Sequence, residues 1–491
     1  MFRQKPTLPC AIFLDDSSHV QLHASLTLAR SAGHAQLLLL SASAFRFRVP
    51  RAFTRIFHPS AKLCQLCASA FSLFRAILKR QQFGVLPVPK KNIASVDVKN
   101  KKVLVRVDFN IPIEDGHITD DRRIRAALPT IKSVLDRGGS TILMSHLGRP
   151  EGKGFEAEYS LAPVAKRLSE LLSKPVAFPS NDCVDDKAAA AVKSMKPGDV
   201  VLLDNLRFHK AEKKGDPAFA AKLAAYADVY VNDAFGTCHR PEASMVAVPQ
   251  ALGSKPKVVG FLVEKEIKYL DGVLASPAKP FVVVLGGAKV SDKMPAIERL
   301  LPMASAVIVG GAMAYTFLKA KGVKVGKSRV EEDKLSEAQR AIELATKTGA
   351  ALHLPTDHIC ATEFNENASD IKTFTNETGI GENYMGLDIG PKTQATYADI
   401  LKKAKTVVWN GPMGVFEWPK FAGGTKAVAL AIVEATAKNG CTSIVGGGDS
   451  AAAVEQFDLA EKFSHVSTGG GASLEMLEGK KFESVAVLDE A

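Results

Sequence analysis

Acidic side chains are nearly missing from the first 90 residues, where twelve Lys and Arg face only Asp15 and Asp16. That imbalance accounts for +10 of the chain's formal +11, so the remaining 401 residues are close to neutral. A near-neutral body without a Lys/Arg block is no nucleic-acid surface, and a nucleic-acid partner is excluded on that ground. The apolar runs of the first 90 residues, such as Leu37 to Leu40, are broken by Ser, Arg and Cys and fall far short of a bilayer span, which argues against a membrane partner. Cysteines number seven, an odd and scattered set, which disfavours a disulfide framework and fits a reducing compartment. Cys64-x-x-Cys67 has no second pair nearby and is not read as a metal site. No G-x-G-x-x-G follows the first strand of either half, which counts against a dinucleotide oxidoreductase. Gly322 to Ser328 and Gly148 to Lys153 imitate a phosphate-binding P-loop, but each spaces its glycines wrongly. H-R-D and D-F-G signatures of protein kinases are lacking as well.

What is present is a soluble composition, 46% hydrophobic and 23% charged, on 491 residues, too many for one ordinary core. Residues 1–87 show no strand–helix alternation. They read either as a transit peptide, giving an organellar protein, or as sequence outside a cytoplasmic protein that begins at Val88. The abrupt onset of globular pattern at Val88-Pro89-Lys90-Lys91 favours the second. From residue 100 strands and helices alternate, which predicts an α/β protein with parallel sheets. The expected divisions are a first domain over 88–259, a linking helix over 260–276, a second domain over 277–468, and a C-terminal segment over 469–491.

In open α/β sheets, ligands bind beyond the carboxyl ends of the strands. Strand ends of the first half collect Asp108, Asn110, His146, Arg149, Arg207, His239 and Arg240, with Arg123 just downstream of the first strand. Arginines converging at one sheet edge make a site for a small, multiply charged anion, because the guanidinium fork matches phosphate and carboxylate. Strand ends of the second half carry glycine pairs instead: VVVLGGAK, VIVGGAMA, VVWNGPMG and SIVGGGDS. Bare amides at strand–helix junctions cradle phosphates, and a helix starting after Gly286-Gly287 would put Lys289 and Lys293 on one face of its first turn. Asp449 supplies an oxygen ligand of the kind Mg²⁺ needs beside nucleotide phosphates. STGGGAS (467–473) adds one more glycine-rich turn ahead of a helix over Leu474 to Leu477. An anion on one side and a nucleotide on the other suit group transfer across a closing cleft. A non-catalytic anion-binding protein stays open as an alternative.

RVDFN, DRRIRAALPTI, MSHLGRP, LLDNLRFH, VNDAFGTCHR, LGGAKVSDK, VGGAMAY, MGLDIGP, VWNGPMGVFE, VGGGDS and HVSTGGGAS occur in order and at the spacing of another family. Over about residues 90–491 the chain resembles phosphoglycerate kinase. The resemblance implies two Rossmann-like parallel-sheet domains joined by a hinge helix and facing across a cleft. It implies reversible transfer between ATP and 3-phosphoglycerate, with Mg²⁺ as cofactor. Nothing in the sequence suggests an oligomer, so a monomer is expected, and a start at Val88 makes it cytoplasmic. The resemblance also implies that the tail after Gly479 returns to the first domain. The acid would be held by Asp108, Phe109, Asn110, Arg123, His146, Leu147, Gly148, Arg149, Arg207, His239 and Arg240. Gly287, Ala288, Lys289, Lys293 and Asn410 would meet nucleotide phosphate, Gly310, Gly311 and Gly386 the adenine, and Glu417 the ribose. Gly447, Gly448, Asp449 and Ser450 would form the phosphate–Mg²⁺ loop; Ser450 stands where Thr is common in that family, and the hydroxyl is retained. Arg123 and Lys289, with the amides of Gly470 and Gly471, would carry the charge of the group in flight.

Overall fold

The computed structural model describes residues 89–491 and, before them, one antiparallel pairing of Ala11–Leu14 with Val20–His23. The reading of residues 1–87 as an extension otherwise lies outside the described residues. From Pro89 onward the described residues form one compact unit built on two parallel sheets.

The first sheet contains β1 (Lys102–Val107), β2 (Ser140–Met144), β3 (Val200–Leu202), β4 (Val229–Asp233) and β5 (Lys257–Val259), in the order β3-β2-β1-β4-β5. All four pairings are parallel. β1 is apolar at nearly every position because both its faces are covered. Leu104 joins one core cluster, while Val103, Val105 and Val107 join another on the opposite face. Chain order starts at β1 and runs first to one edge and then to the other. The crevice beyond the carboxyl ends of β1 and β4 is therefore a topological switch point.

The second sheet repeats the scheme. Its strands are β6 (Phe281–Leu285), β7 (Ala306–Val309), β8 (Ala351–His353), β12 (Thr406–Asn410), β13 (Thr442–Gly446) and β14 (His465–Val466), ordered β8-β7-β6-β12-β13-β14 and all parallel. Between β8 and β12 the chain makes a small antiparallel sheet of β9 (Asp357–Ala361), β10 (Ile371–Thr375) and β11 (Met385–Ile389). Here the switch point falls between β6 and β12, whose carboxyl ends run directly into Gly286 and Gly411.

Four helices position the site. α1 (Arg122–Asp136) follows β1, and α2 (Phe261–Ile267) leads from β5 toward β6, continuing through a π-helical turn to Ala275. α3 (Gly448–Gln456) follows β13, and α4 (Gly471–Leu477) follows β14. The start of α2 is tied to the first sheet by Asp233, whose Oδ1 accepts the Leu262 N–H at 2.9 Å. Its buried Glu266 reaches the second sheet, with Oε2 2.7 Å from His465 Nε2 and Oε1 accepting the Thr468 N–H at 3.0 Å. The chain's last residues pair beside β5, Asp489 donating its N–H to the Lys257 carbonyl at 2.8 Å. No described helix is long and apolar enough to cross a membrane.

Candidate active site

Arg106, inside β1, is fully buried, and a guanidinium there must find acceptors. Its Nε donates to Ser244 Oγ at 2.8 Å, and its Nη2 lies 3.7 Å from Glu242 Oε2 and 3.1 Å from His146 Nδ1. Since arginine can only donate, His146 Nδ1 accepts, and the imidazole proton sits on Nε2. Burial, followed by the charges of Arg106, Arg207, Arg240 and Arg123, holds His146 well below the usual histidine range. His146 is therefore a neutral donor.

Glu242 organises the arginines. Its Oε1 takes a hydrogen bond from Arg207 Nη2 at 2.7 Å and lies 3.8 Å from Arg240 Nη1. Arg207 Nη1 donates to the Gly148 carbonyl at 2.9 Å, and the Gly148 N–H donates to Asn110 Oδ1 at 2.8 Å. Arg123 Nη1 donates to the Asn110 carbonyl at 2.8 Å and lies 3.3 Å from Asp108 Oδ1. Arg240 Nε donates to His239 Nε2 at 3.3 Å, so the His239 proton belongs on Nδ1. That Nδ1 and Arg207 Nε are buried without a partner among the described residues, as donors awaiting an acceptor. Burial first, then Arg240, lowers the His239 pKa as well. Arg149 is exposed and has no partner among the described residues, while Phe109 and Leu147 are buried beneath this cluster.

On the second sheet a cavity of about 360 Å³ opens at the switch point. Gly287, Ala288, Lys289, Lys293, Asn410, Gly447, Gly448, Asp449, Ser450, Gly470 and Gly471 all line it. Lys293 Nζ donates to Asn410 Oδ1, leaving Asn410 Nδ2 buried and unpaired among the described residues. Burial depresses the Lys293 pKa. The Ser450 hydroxyl accepts the Gly411 N–H at 2.6 Å and fixes the loop after β12. Burial also pushes Asp388 up to about 7, although it accepts the Gly424 and Ile389 N–H groups at 2.6 and 2.8 Å.

Three expectations need correction. The helix after Gly286-Gly287 starts only at Met294, with Lys293 as its cap, so Lys289 lies in the preceding loop. Pro295 sets that start, and Glu331 holds the loop open by accepting the Ser291 N–H and hydroxyl at 3.1 and 2.8 Å. α4 starts at Gly471, three residues earlier than Leu474. Nor do all the glycines leave room for a ligand. A methyl group on Gly286 or Gly311 would overlap the backbone of Pro412 or Gly287, and one on Gly310 would overlap the Met413 thioether. Open space is found only at the Cβ positions of Gly287, Gly448 and Gly470 among those named for the cavity. Gly310, Gly311, Gly386 and Glu417 do not line it, and a methyl on Gly386 would strike the Tyr315 hydroxyl.

Sequence reasoning overlooked Arg106, Glu242 and the buried Glu212, whose Oε2 accepts the Ser244 N–H at 2.9 Å. A lone charge inside a fully apolar central strand was the available signal for Arg106. It also overlooked Arg329 and Asp292, which line the cavity.

The two faces adjoin. A methyl group on Gly471 would sit 4.0 Å from His239 Nε2, and one on Gly236, packed against Asp108, would lie 3.8 Å from the Thr468 carbonyl.

A family model described as phosphoglycerate kinase matches residues 93–480. The phosphoglycerate kinase of Rhodopirellula baltica is 57% identical over 403 residues, covering 82% of this chain and 100% of that one. The cytosolic enzyme of Trypanosoma congolense is 51% identical over 420 residues, covering 82% and 98%. The solved phosphoglycerate kinase of Coxiella burnetii superposes with a TM-score of 0.73 at 40% identity, over 81% of this chain and 98% of that one.

Proposed function

The chain belongs to the phosphoglycerate kinase family, and we infer that it catalyses reversible phosphoryl transfer between ATP and the carboxylate of 3-phosphoglycerate, giving ADP and 1,3-bisphosphoglycerate. The observation that carries this reading is the meeting of two unlike faces, arginines on one sheet and a glycine-lined cavity on the other, at His239 and Gly471.

The attacking carboxylate is ionised at neutral pH, its reference pKa being roughly 3.5–4, so no general base is required. Both histidines of the arginine face have depressed pKa values and serve as neutral donors. The protein's work is to hold two repelling anions in line and to offset charge on the moving group. Arg123, anchored through one nitrogen, offers the rest of its fork from the first sheet. Lys289 and the amides of Gly470 and Gly471 do so from the second. Lys293, Asn410 and the Gly447–Ser450 turn hold nucleotide phosphate at the start of α3. Mg²⁺ fits this cavity, where the carboxylates of Asp449 and Asp292 face three cations; when bound with nucleotide it would offset phosphate charge.

We place the acid on residues 88–259 and the nucleotide on 277–468, with closure about the 260–276 helix and the 469–491 segment returning to the first domain. The enzyme is read as a cytoplasmic monomer, and mass spectrometry of the native N-terminus decides between that and an organellar form. An assay coupling ADP formation to 3-phosphoglycerate in the presence of ATP and Mg²⁺ tests the reaction. Folded protein that releases no ADP on addition of the acid would refute it.

A further inference from the structure

Away from α2 and the C-terminal segment, an ion pair links α1 of the first sheet to α3 of the second. Arg122 is the first residue of α1, directly before Arg123, and its Nη1 lies 2.6 Å from Glu455 Oε2. Glu455 sits near the end of α3, the helix whose opening residues are Gly448, Asp449 and Ser450. The pair thus connects the helix that presents Arg123 to the helix that begins with the phosphate turn.

Such a pair would ordinarily contribute little, because both side chains are part-exposed and must be ordered to meet. Here the arginine is ordered beforehand. Asp120 accepts from Nε at 2.9 and 2.8 Å and from Nη2 at 2.6 Å, which fixes the guanidinium plane. Only Nη1 is left, and it points at the other sheet's helix. Arg122 in turn lowers the Asp120 pKa, so the anchor stays ionised at neutral pH. A fork held on two nitrogens by its own lobe loses little freedom when the third engages across the gap.

We propose that Arg122 and Glu455 are positioning residues that latch the two lobes in the arrangement where Arg123 faces the Gly447–Ser450 turn. The inference rests on the functional reading given above for those two groups. Neither latch residue lines the cavity or belongs to the arginine cluster. The latch acts by fixing the separation of the two helix starts.

The test is a double-mutant cycle in the coupled assay at low ionic strength, using Arg122→Gln, Glu455→Gln and the double variant. Each single change should lower kcat about 1.5- to 5-fold, and the double should be no slower than the slower single. The nucleotide dissociation constant, read by calorimetry, should stay at the wild-type value, because neither residue touches ATP. Added salt should slow the wild type by a larger factor than it slows the variants. Asp120→Asn, which frees the fork without touching Glu455, should reproduce part of the loss. Unchanged or raised kcat in the singles, additive losses, or a shifted nucleotide affinity would each overturn the latch. Melting temperatures are read in parallel, and Glu455→Asp, which keeps the charge but shortens the reach, replaces any variant that unfolds early. An inactive wild type would instead sink the functional reading, so the two failures are distinct.

Discussion

Replacing Glu242 by glutamine probes the arginine face at its balance point. The carboxylate lies 2.7 Å from Arg207, 3.7 Å from Arg106 and 3.8 Å from Arg240. It is buried, as are Arg106 and Arg207. Glutamine keeps the shape and one acceptor oxygen but deletes the charge that offsets three guanidinium groups. Removing one partner of a buried pair costs about 3–5 kcal/mol. Glu212 remains nearby and glutamine still accepts one bond, so the lower end is the working figure. At roughly 2–4 °C per kcal/mol for a lobe of this size, the melting temperature should fall by roughly 6–12 °C. Inorganic phosphate or 3-phosphoglycerate returns negative charge to the same cluster. Either should therefore raise the variant's melting temperature more than that of the wild type. Thermal melts across a phosphate titration at constant ionic strength measure both effects. A variant that melts with the wild type without anion, or gains no more from phosphate, would show that the guanidinium charge is balanced elsewhere.

Three further outcomes are expected. Arg123→Ala should lower kcat by about 10²–10³-fold while leaving ADP affinity by calorimetry unchanged, since its contacts are all on the first sheet. Lys293→Met should weaken ADP binding about 10- to 100-fold, the range for a hydrogen bond to a charged group, with 3-phosphoglycerate affinity unaffected. Asp388 is raised to about 7 by burial, from an unfolded value near ~3.9. The folded state therefore binds the extra proton, and this group's contribution is full below about pH 4 and lost as pH rises through about 7. Asp388→Asn loses one of two N–H acceptors at every pH, but it should gain on the wild type between pH 5 and 8 by roughly 2–3 kcal/mol. The depressed histidines act in the opposite sense in both proteins and cancel from the difference, which urea midpoints at the two pH values would reveal. A constant difference would refute the assignment.

Legibility followed from which interactions are local. Phe281 to Leu285 announces a strand because burial on both faces demands an unbroken apolar run, and all five residues are buried. The polar residues just past such runs were readable for the same reason, since the sheet delivers its strand ends to one edge. Lys289 and Lys293 were found in this way even though the helix between them was placed too early. Pro295 was visible, but the grip of Glu331 on Ser291 spans 40 residues and leaves no local pattern. Glycines were ambiguous for a related reason. Gly286 and Gly311 lack side chains because another backbone fills the space, whereas Gly448 faces open space, and no spacing rule separates the two.

Arg106 and Glu242 show where the argument from strand ends was incomplete. Counting arginines at an edge predicts an anion site but overlooks the cost of assembling like charges before any anion arrives. A fully buried guanidinium in β1 cannot persist unpaired, so a carboxylate had to be supplied from elsewhere in the fold. Glu242 meets that demand from a segment 136 residues further along. The consequence bears on mechanism. Arg207 and Arg106 are already committed to Glu242, which makes them fixed walls of the proposed acid site. Arg123 is tied through Nη1 alone, to Asp108 and the Asn110 carbonyl, and its Nε and Nη2 have no partner among the described residues. A guanidinium held at one corner is aimed without being spent, and this is the geometry required of the arginine that must reach a group midway between the two sheets.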